Sequence, residues 1–151
     1  MNSNTKDQAV WNALFSLLFL LLLISAFWGL TNGLDSFKWL YVLDSMDIAI
    51  LALATFRIVR LVTFDKIFTF VRNIFMDLQE DGSYEKPERG IRRTVAELIE
   101  CIWCTGLWAA LPIVTLYFIA DIGRFFVLVL AVAALGSFLQ LFSQMVGRIG
   151  K

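Results

Sequence analysis

Long uncharged runs of apolar residues dominate the chain. Three of them cover residues 9–34, 101–120 and 125–147, and the stretch Leu14–Ile24 is almost entirely Leu, Phe and Ile. About 20 helical residues cross the hydrocarbon core of a bilayer, which is about 30 Å thick. Because a backbone in lipid has no water to bond, each run must satisfy its own polar groups as a helix. The pattern therefore predicts three membrane-spanning helices.

A fourth span is predicted over residues 45–64, although two cations interrupt it. Most of its positions are apolar, but Arg57 and Arg60 lie in its second half. Asp44 suits a helix N-cap, and Asp47 lies where an acidic side chain favours the helix dipole. The alternative is a half-buried helix that enters and leaves the membrane on one side. We count the segment as a span.

The distribution of Lys and Arg predicts the topology. Residues 65–100 hold six of them, whereas the connections 35–44 and 121–124 hold one each. Cytoplasmic segments carry the excess of Lys and Arg, so residues 65–100 are expected in the cytoplasm. With four spans, both termini are cytoplasmic too.

The predicted cytoplasmic segment begins with an amphipathic pattern. Between Asp65 and Leu78 the apolar residues recur at spacings of three and four, which predicts a helix lying in the headgroup layer. A helix packed on a partner chain is the alternative. Residues 79–90 are charged and contain Gly and Pro, which indicates a solvated loop. A helix then begins at Arg93 or Thr94 and runs into the third span.

Composition excludes several classes of function. The chain has no His, 13 Lys and Arg against 13 Asp and Glu, and 17% charged residues. Imidazole chemistry is therefore excluded, and no basic excess exists to bind nucleic acid. No phosphate-binding loop, dinucleotide motif or nucleophile beside a base is recognisable. We expect a protein that is not an enzyme and has no cofactor or bound metal.

Four charged residues near the cytoplasmic boundary form a candidate cluster. Arg57 and Arg60 on the second span share a spacing of three with Glu97 and Glu100. An intramembrane charge is costly unless it finds a partner or water, so the two pairs are expected to join adjacent helices. The alternatives to this cluster are an ion or substrate path near Arg57 and snorkelling of both arginines to the interface.

Cys101 and Cys104 form a C-x-x-C at the start of the third span. On a helix this spacing places both thiols on one face, together with Glu97 and Trp108. We expect two buried small apolar residues, since a structural disulfide is disfavoured in the cytoplasm. The alternatives for the two cysteines are lipidation, a redox role or a metal shared with a second subunit.

The fourth span carries a stripe of small and amide side chains. Small residues allow close helix approach and buried amides bond across the interface, which favours helix packing, within the chain or between copies, over a pore lining. The stripe consists of Ala133, Ser137, Gln140 and Gln144.

A known family shares several of these residues. The stretch Leu53–Leu61, then Asp65, Arg72 and Glu97, and finally Cys101, Trp103, Cys104, Gly106 and Trp108, resembles the DUF1360 family of small bacterial membrane proteins. The resemblance implies a shared site at Arg57, Arg60, Glu97 and the C-x-W-C-x-G-x-W motif. It implies no reaction, and some members are described as sporulation proteins.

The sequence as a whole predicts an all-α polytopic membrane protein with four transmembrane helices, one interfacial amphipathic helix and a single domain over residues 1–151. We expect a non-enzymatic scaffold or interaction protein of the bacterial inner membrane, surrounded by lipid and either self-associating or docked on a larger membrane partner. A small oligomeric channel or transporter with a path near Arg57 is one alternative. A thiol or metal protein acting through Cys101 and Cys104 is the other.

Overall fold

The computed structural model describes residues 3–33, 43–119 and 121–149, and this part of the chain is almost entirely helical. It contains six α-helices, one 3-10 turn and one short β-hairpin. In chain order the elements are α1 (Ser3–Gly33), α2 (Ser45–Thr63), the 3-10 turn (Lys66–Phe68), α3 (Thr69–Ile74), β1 (Asp77–Leu78), β2 (Tyr84–Glu85), α4 (Ile91–Glu100), α5 (Ile102–Ile119) and α6 (Asp121–Ile149).

Three of these helices, α1, α5 and α6, are long and apolar enough to cross a membrane. They cover the predicted spans 9–34, 101–120 and 125–147, except that residues 34 and 120 lie outside the described part of the chain. Most of their apolar side chains are exposed, as expected of helices whose surroundings are lipid. The all-helical class is thereby confirmed, with three helices that are long and apolar enough to span a membrane.

The helix α2 matches the fourth predicted span in its bounds. Its start is capped reciprocally, because the Ser45 N–H donates to Asp44 Oδ1 (2.7 Å) and the Asp44 N–H donates to Asp47 Oδ2 (3.1 Å). Its charges at Asp47, Arg57 and Arg60 make it less apolar than the other three, and it is not among the helices that qualify as spans by composition.

The structure corrects the prediction of one amphipathic helix over residues 65–78. This stretch is a 3-10 turn, the six-residue helix α3 and strand β1, which pairs with β2 in a hairpin where a loop was expected. Arginine side chains bond backbone carbonyls at both ends of this stretch, and two of these carbonyls, Asp65 O and Ile74 O, are acceptors in a continuous helix over residues 65–78. Arg72 donates to Val62 O and Asp65 O, and Arg92 donates to Ile74 O and Met76 O.

The chain divides into two compact units, each with portions of α1, α2 and α5. One comprises Met1–Gly29 and Val59–Trp108, and we call it the polar unit. The other comprises Leu30–Ile58 and Ala109–Lys151, and we call it the apolar unit.

The core of the apolar unit is a small cluster of side chains from α2, α5 and α6: Leu51, Ala54, Ile113, Val127 and Ala131. Gly123, in the first turn of α6, is buried, and a side chain there would overlap the backbone carbonyl of Leu116 on α5. Glycine therefore permits α6 to begin directly against α5. A side-chain hydrogen bond joins α5 to α2 in this unit, from Tyr117 Oη to Asp47 Oδ1 (2.6 Å).

Candidate functional site

The candidate site lies where α4 ends and α5 begins. Cys101 separates the two helices with an extended backbone (φ −82°, ψ 98°). Its carbonyl accepts the Thr105 N–H (2.9 Å) and its Sγ accepts the Cys104 N–H (3.2 Å). Cys101 is thus the N-cap residue of α5, with a sulfur in the position that a Ser or Asp oxygen usually takes. A continuous helix from Arg93 into the third span, as expected from the sequence, is wrong at this residue.

The structure joins Cys101 and Cys104 in a disulfide, with Cα atoms 5.2 Å apart. The sequence favoured two reduced, buried cysteines, whereas Cys104 is exposed and Cys101 is half-buried. The difference follows from the break at Cys101, which turns its sulfur towards the first turn of α5. Two reduced cysteines are expected only for an unbroken helix in a reducing compartment.

A cavity of about 410 Å³ opens beside the disulfide. Its lining includes four residues that the C-x-x-C spacing grouped together: Glu97, Cys101, Cys104 and Trp108. Leu98, Leu107 and Phe15 make part of the wall apolar, and Asn12, Ser16 and Thr94 make another part polar. The cavity therefore offers both apolar surface and hydrogen-bonding groups to a molecule that approaches the disulfide.

A ladder of polar side chains supports the polar wall of the cavity. Gln8 Nε2 donates to Thr94 Oγ1 (2.8 Å), and the Thr94 hydroxyl faces Asn12 Oδ1 at 3.3 Å. Thr94 is buried, and so is the second amide atom of Gln8, Oε1, which has no hydrogen-bond partner among the residues that the structure describes. Sequence reasoning missed these residues. Their signal is the spacing of four that places Gln8, Asn12 and Ser16 on one face of α1.

Aromatic contacts fix the far wall of the cavity. The Trp108 ring lies 5.9 Å from the Phe15 ring and 5.3 Å from the Phe19 ring, in tilted geometry. Gly106 lies opposite α2, where an added side-chain carbon would sit 3.8 Å from a Val59 methyl. Trp103, by contrast, is 89% exposed. The motif residues thus differ in role, since Gly106 and Trp108 pack while Trp103 and Cys104 face outwards.

A family model described as "Protein of unknown function (DUF1360)" matches residues 50–143, which include all of these motif residues. The chain belongs to the DUF1360 family.

Two curated relatives agree with this assignment, both from Bacillus subtilis (strain 168). "Sporulation protein YjcA" is 33% identical over 108 residues, which is 66% of this chain and 92% of the relative. "UPF0713 protein YngL" is 29% identical over 102 residues, which is 65% of this chain and 78% of the relative. No solved structure matches. DUF1360 membership therefore brings sporulation relatives but no assigned reaction.

The acidic half of the predicted charge cluster has cationic partners from its own segment. Glu97 pairs with Arg93 (2.8 Å) one turn earlier on α4, and Glu100 pairs with Lys86. Arg57 and Arg60 are both half-buried on α2. The four-member cluster of Arg57, Arg60, Glu97 and Glu100 stays a prediction.

Most cations of residues 65–100 form bonds within the segment itself. Lys86 and Arg93 pair with glutamates, Arg92 pairs with Asp77 (2.7 Å), and Arg72 binds backbone carbonyls. The segment also has eight acidic residues against six basic ones. The segment therefore folds on itself through its own ion pairs and has a slight excess of acidic residues, and we call it the platform.

The predicted packing stripe lies on a different face of α6 from the one that packs within the chain. The packed face includes Val127, Ala131 and Ala134, all buried. At about 100° per residue, the stripe is roughly a third of a turn away. Ser137 is half-buried, and the exposed members of the stripe are Ala133, Gln140 and Gln144. Ser137 Oγ donates to Ala133 O (2.8 Å) on the same helix.

Within the described part of the chain, groups of three or more Cys, Asp or Glu arranged to hold a metal ion are absent. The alternative of a metal at Cys101 and Cys104 would therefore need ligands from outside these residues. The path near Arg57 that the channel alternative requires stays a prediction.

Proposed function

We propose that this DUF1360 protein is a self-associating scaffold of the bacterial inner membrane and that it binds partners rather than catalysing a reaction. In this proposal α2 is the fourth span, and both termini and residues 65–100 are cytoplasmic. The platform in residues 65–100 contacts a partner protein, because Lys86, Arg92 and Arg93 are already paired with acidic side chains of the segment and are not available to anionic lipid. Three helices that are long and apolar enough to span a membrane support the location.

The observation that carries self-association is the exposed amide of Gln140 on α6. The neighbouring side chains Leu139 and Leu141 are apolar and exposed, so Gln140 lies on a helix surface that lipid would otherwise cover. In hydrocarbon an unbonded amide is costly, and a Gln side chain both donates and accepts. Two copies of the same helix related by a twofold axis satisfy each other's amides, which makes a second copy the simplest occupant.

Replacing Gln140 tests this proposal. The protein is labelled at its C-terminus with donor or acceptor dyes, and energy transfer is measured in liposomes over a range of protein-to-lipid ratios. Gln140→Leu should raise the dimer dissociation constant about tenfold, because interhelical hydrogen bonds in membranes each contribute about 0.6 kcal/mol and a symmetric pair loses two.

The matched control moves the amide without changing composition. In the double variant Gln140→Leu with Leu139→Gln, the amide lies about 100° around the helix. This variant should dissociate as readily as Gln140→Leu alone. Unchanged energy transfer in Gln140→Leu, or a wild-type protein that is monomeric at every ratio, contradicts self-association through α6.

A further inference from the structure

The Cys101–Cys104 disulfide has features that a purely structural cross-link does not need. It joins residues three apart and closes only one turn of chain, so it restricts the unfolded state little. Both cysteines line an open cavity, and Cys104 is exposed. Exposed disulfides are generally the labile ones, and those of reducing compartments are usually catalytic or redox-sensing.

The two sulfurs have different surroundings. The Cys104 sulfur belongs to an exposed residue, next to the exposed ring of Trp103. The Cys101 sulfur is half-buried at the N-terminus of the 18-residue helix α5 and accepts the Cys104 N–H. A thiolate at this N-cap position is stabilised by that N–H and by the helix dipole. The negative charge of Glu97 in the same cavity is balanced by its ion pair with Arg93.

We propose that Cys101–Cys104 is a redox-active disulfide that exchanges with a cysteine pair of a partner protein, Cys104 being the sulfur that is attacked. The proposal goes beyond the scaffold function. In the exchange, one Cys101–Cys104 disulfide reacts with one cysteine pair of the partner. Cys104 is the sulfur that is attacked, because it is the more accessible of the two. Cys101 is the leaving group, because its thiolate is the better stabilised and a better-stabilised thiolate leaves faster.

The exchange balances in two steps. A thiolate of the partner attacks Cys104 Sγ, a partner–Cys104 disulfide forms, the Cys101–Cys104 bond breaks, and its electron pair goes to Cys101 Sγ. The second partner thiolate then attacks the partner sulfur of the mixed disulfide and releases Cys104 as a thiolate. The partner dithiol loses two electrons and two protons, and Cys101 and Cys104 gain them as two thiols.

A thiol count in the native protein tests whether the pair is redox-active. The chain has only two cysteines, so every thiol that reacts with a polyethylene-glycol maleimide belongs to this pair. Full-length protein in liposomes is equilibrated in mixtures of reduced and oxidised dithiothreitol, and its helical content is followed by circular dichroism. We expect a reversible change between zero and two labelled thiols at constant helical content.

Two results of this titration overturn the proposal. A disulfide that is reduced only after the protein unfolds is a structural cross-link. Thiols that stay free in fully oxidising buffer show that the pair does not cycle. The variant with both cysteines changed to Ser supplies the unlabelled baseline. Neither result bears on the energy transfer of the Gln140 variants, so the two proposals fail separately.

Single-cysteine variants test whether Cys104 is the sulfur that forms the mixed disulfide. Exchange is reversible, so the sulfur that is attacked in the oxidised protein is also the one that attacks a disulfide in the reduced protein. With oxidised glutathione as the probe, Cys101→Ser should form its glutathione adduct at least tenfold faster than Cys104→Ser. Equal rates, or a faster reaction at Cys101, contradict the assignment.

Discussion

Each of the two units is stabilised internally by a different kind of interaction. In the polar unit, side-chain hydrogen bonds link distant segments, such as Gln8 with Thr94 and Thr63 with the Ile99 carbonyl. In the apolar unit, hydroxyls such as that of Thr55 bond the carbonyl four residues earlier on their own helix, and the helices are joined mainly by packing, with the Tyr117–Asp47 hydrogen bond in addition. The difference shows that specific polar chemistry is concentrated in the unit with the cysteine pair, whereas the other unit depends on shape.

The largest expected effect is a steric one in the apolar unit. Gly123→Ala places a carbon against the backbone carbonyl of Leu116, so α5 or α6 must shift. We expect the free energy of unfolding in detergent to fall by about 2 kcal/mol, as for other overpacked sites.

Gly136→Ala on the same helix is the matched control, because nothing lies within 4 Å of the added carbon. It should be neutral or stabilise the protein by up to about 1 kcal/mol through helix propensity. Equal effects at Gly123 and Gly136 would show that shape does not govern the apolar unit.

A smaller effect is expected from an isosteric change in the polar unit. Thr94→Val removes the buried hydroxyl that accepts from Gln8 and faces Asn12, and it leaves the two amides only the longer Gln8–Asn12 hydrogen bond (3.4 Å). The free energy of unfolding should fall by about 1–2 kcal/mol. The same substitution at Thr55 removes only a bond to its own helix and should change stability little. If Thr55→Val costs as much as Thr94→Val, the contrast between the units is wrong.

The smallest expected effect is a local pH dependence of the hairpin between β1 and β2. The hydroxyl and N–H of Ser83 donate to Asp81 and hold the pKa of this carboxyl below its ordinary value. Its contribution to hairpin stability is therefore complete above the ordinary carboxyl pKa and is lost as the pH falls through the lowered one.

Hydrogen exchange at the Ser83 amide measures this pH dependence. Protection of the amide, relative to its intrinsic exchange rate, should decrease with acidification in the wild type. Asp81→Asn should remove this decrease, whereas Glu80→Gln, at a residue that does not bond Ser83, should retain it. A decrease that persists in Asp81→Asn assigns the pH dependence to another group.

The apolar pattern predicted most of the helical architecture because uncharged runs leave the backbone few alternatives in lipid. The spans beginning near residues 9, 45, 101 and 125 correspond to α1, α2, α5 and α6. The pattern over residues 65–78 was misleading, because apolar periodicity does not reveal that Arg72 and Arg92 bind the backbone carbonyls.

The site was only partly predictable. The spacing of Glu97, Cys101, Cys104 and Trp108 grouped four residues that do line one cavity. The break at Cys101 was not predictable from periodicity, since it depends on a sulfur acting as the helix cap. The wall formed by Asn12 and Thr94 joins residues 82 positions apart, which no local pattern specifies.

The central claim is that α2 crosses the membrane, and cysteine accessibility in intact cells tests it most directly. In a background with Cys101 and Cys104 changed to Ser, single cysteines replace Ser3, Ser83 or Arg148 and are exposed to an impermeant maleimide. With four spans all three positions are cytoplasmic, so all three should react only after the cells are opened. If only one of Ser3→Cys and Ser83→Cys reacts in intact cells, the two positions lie on opposite sides of the membrane, the chain has three spans and the claim is contradicted.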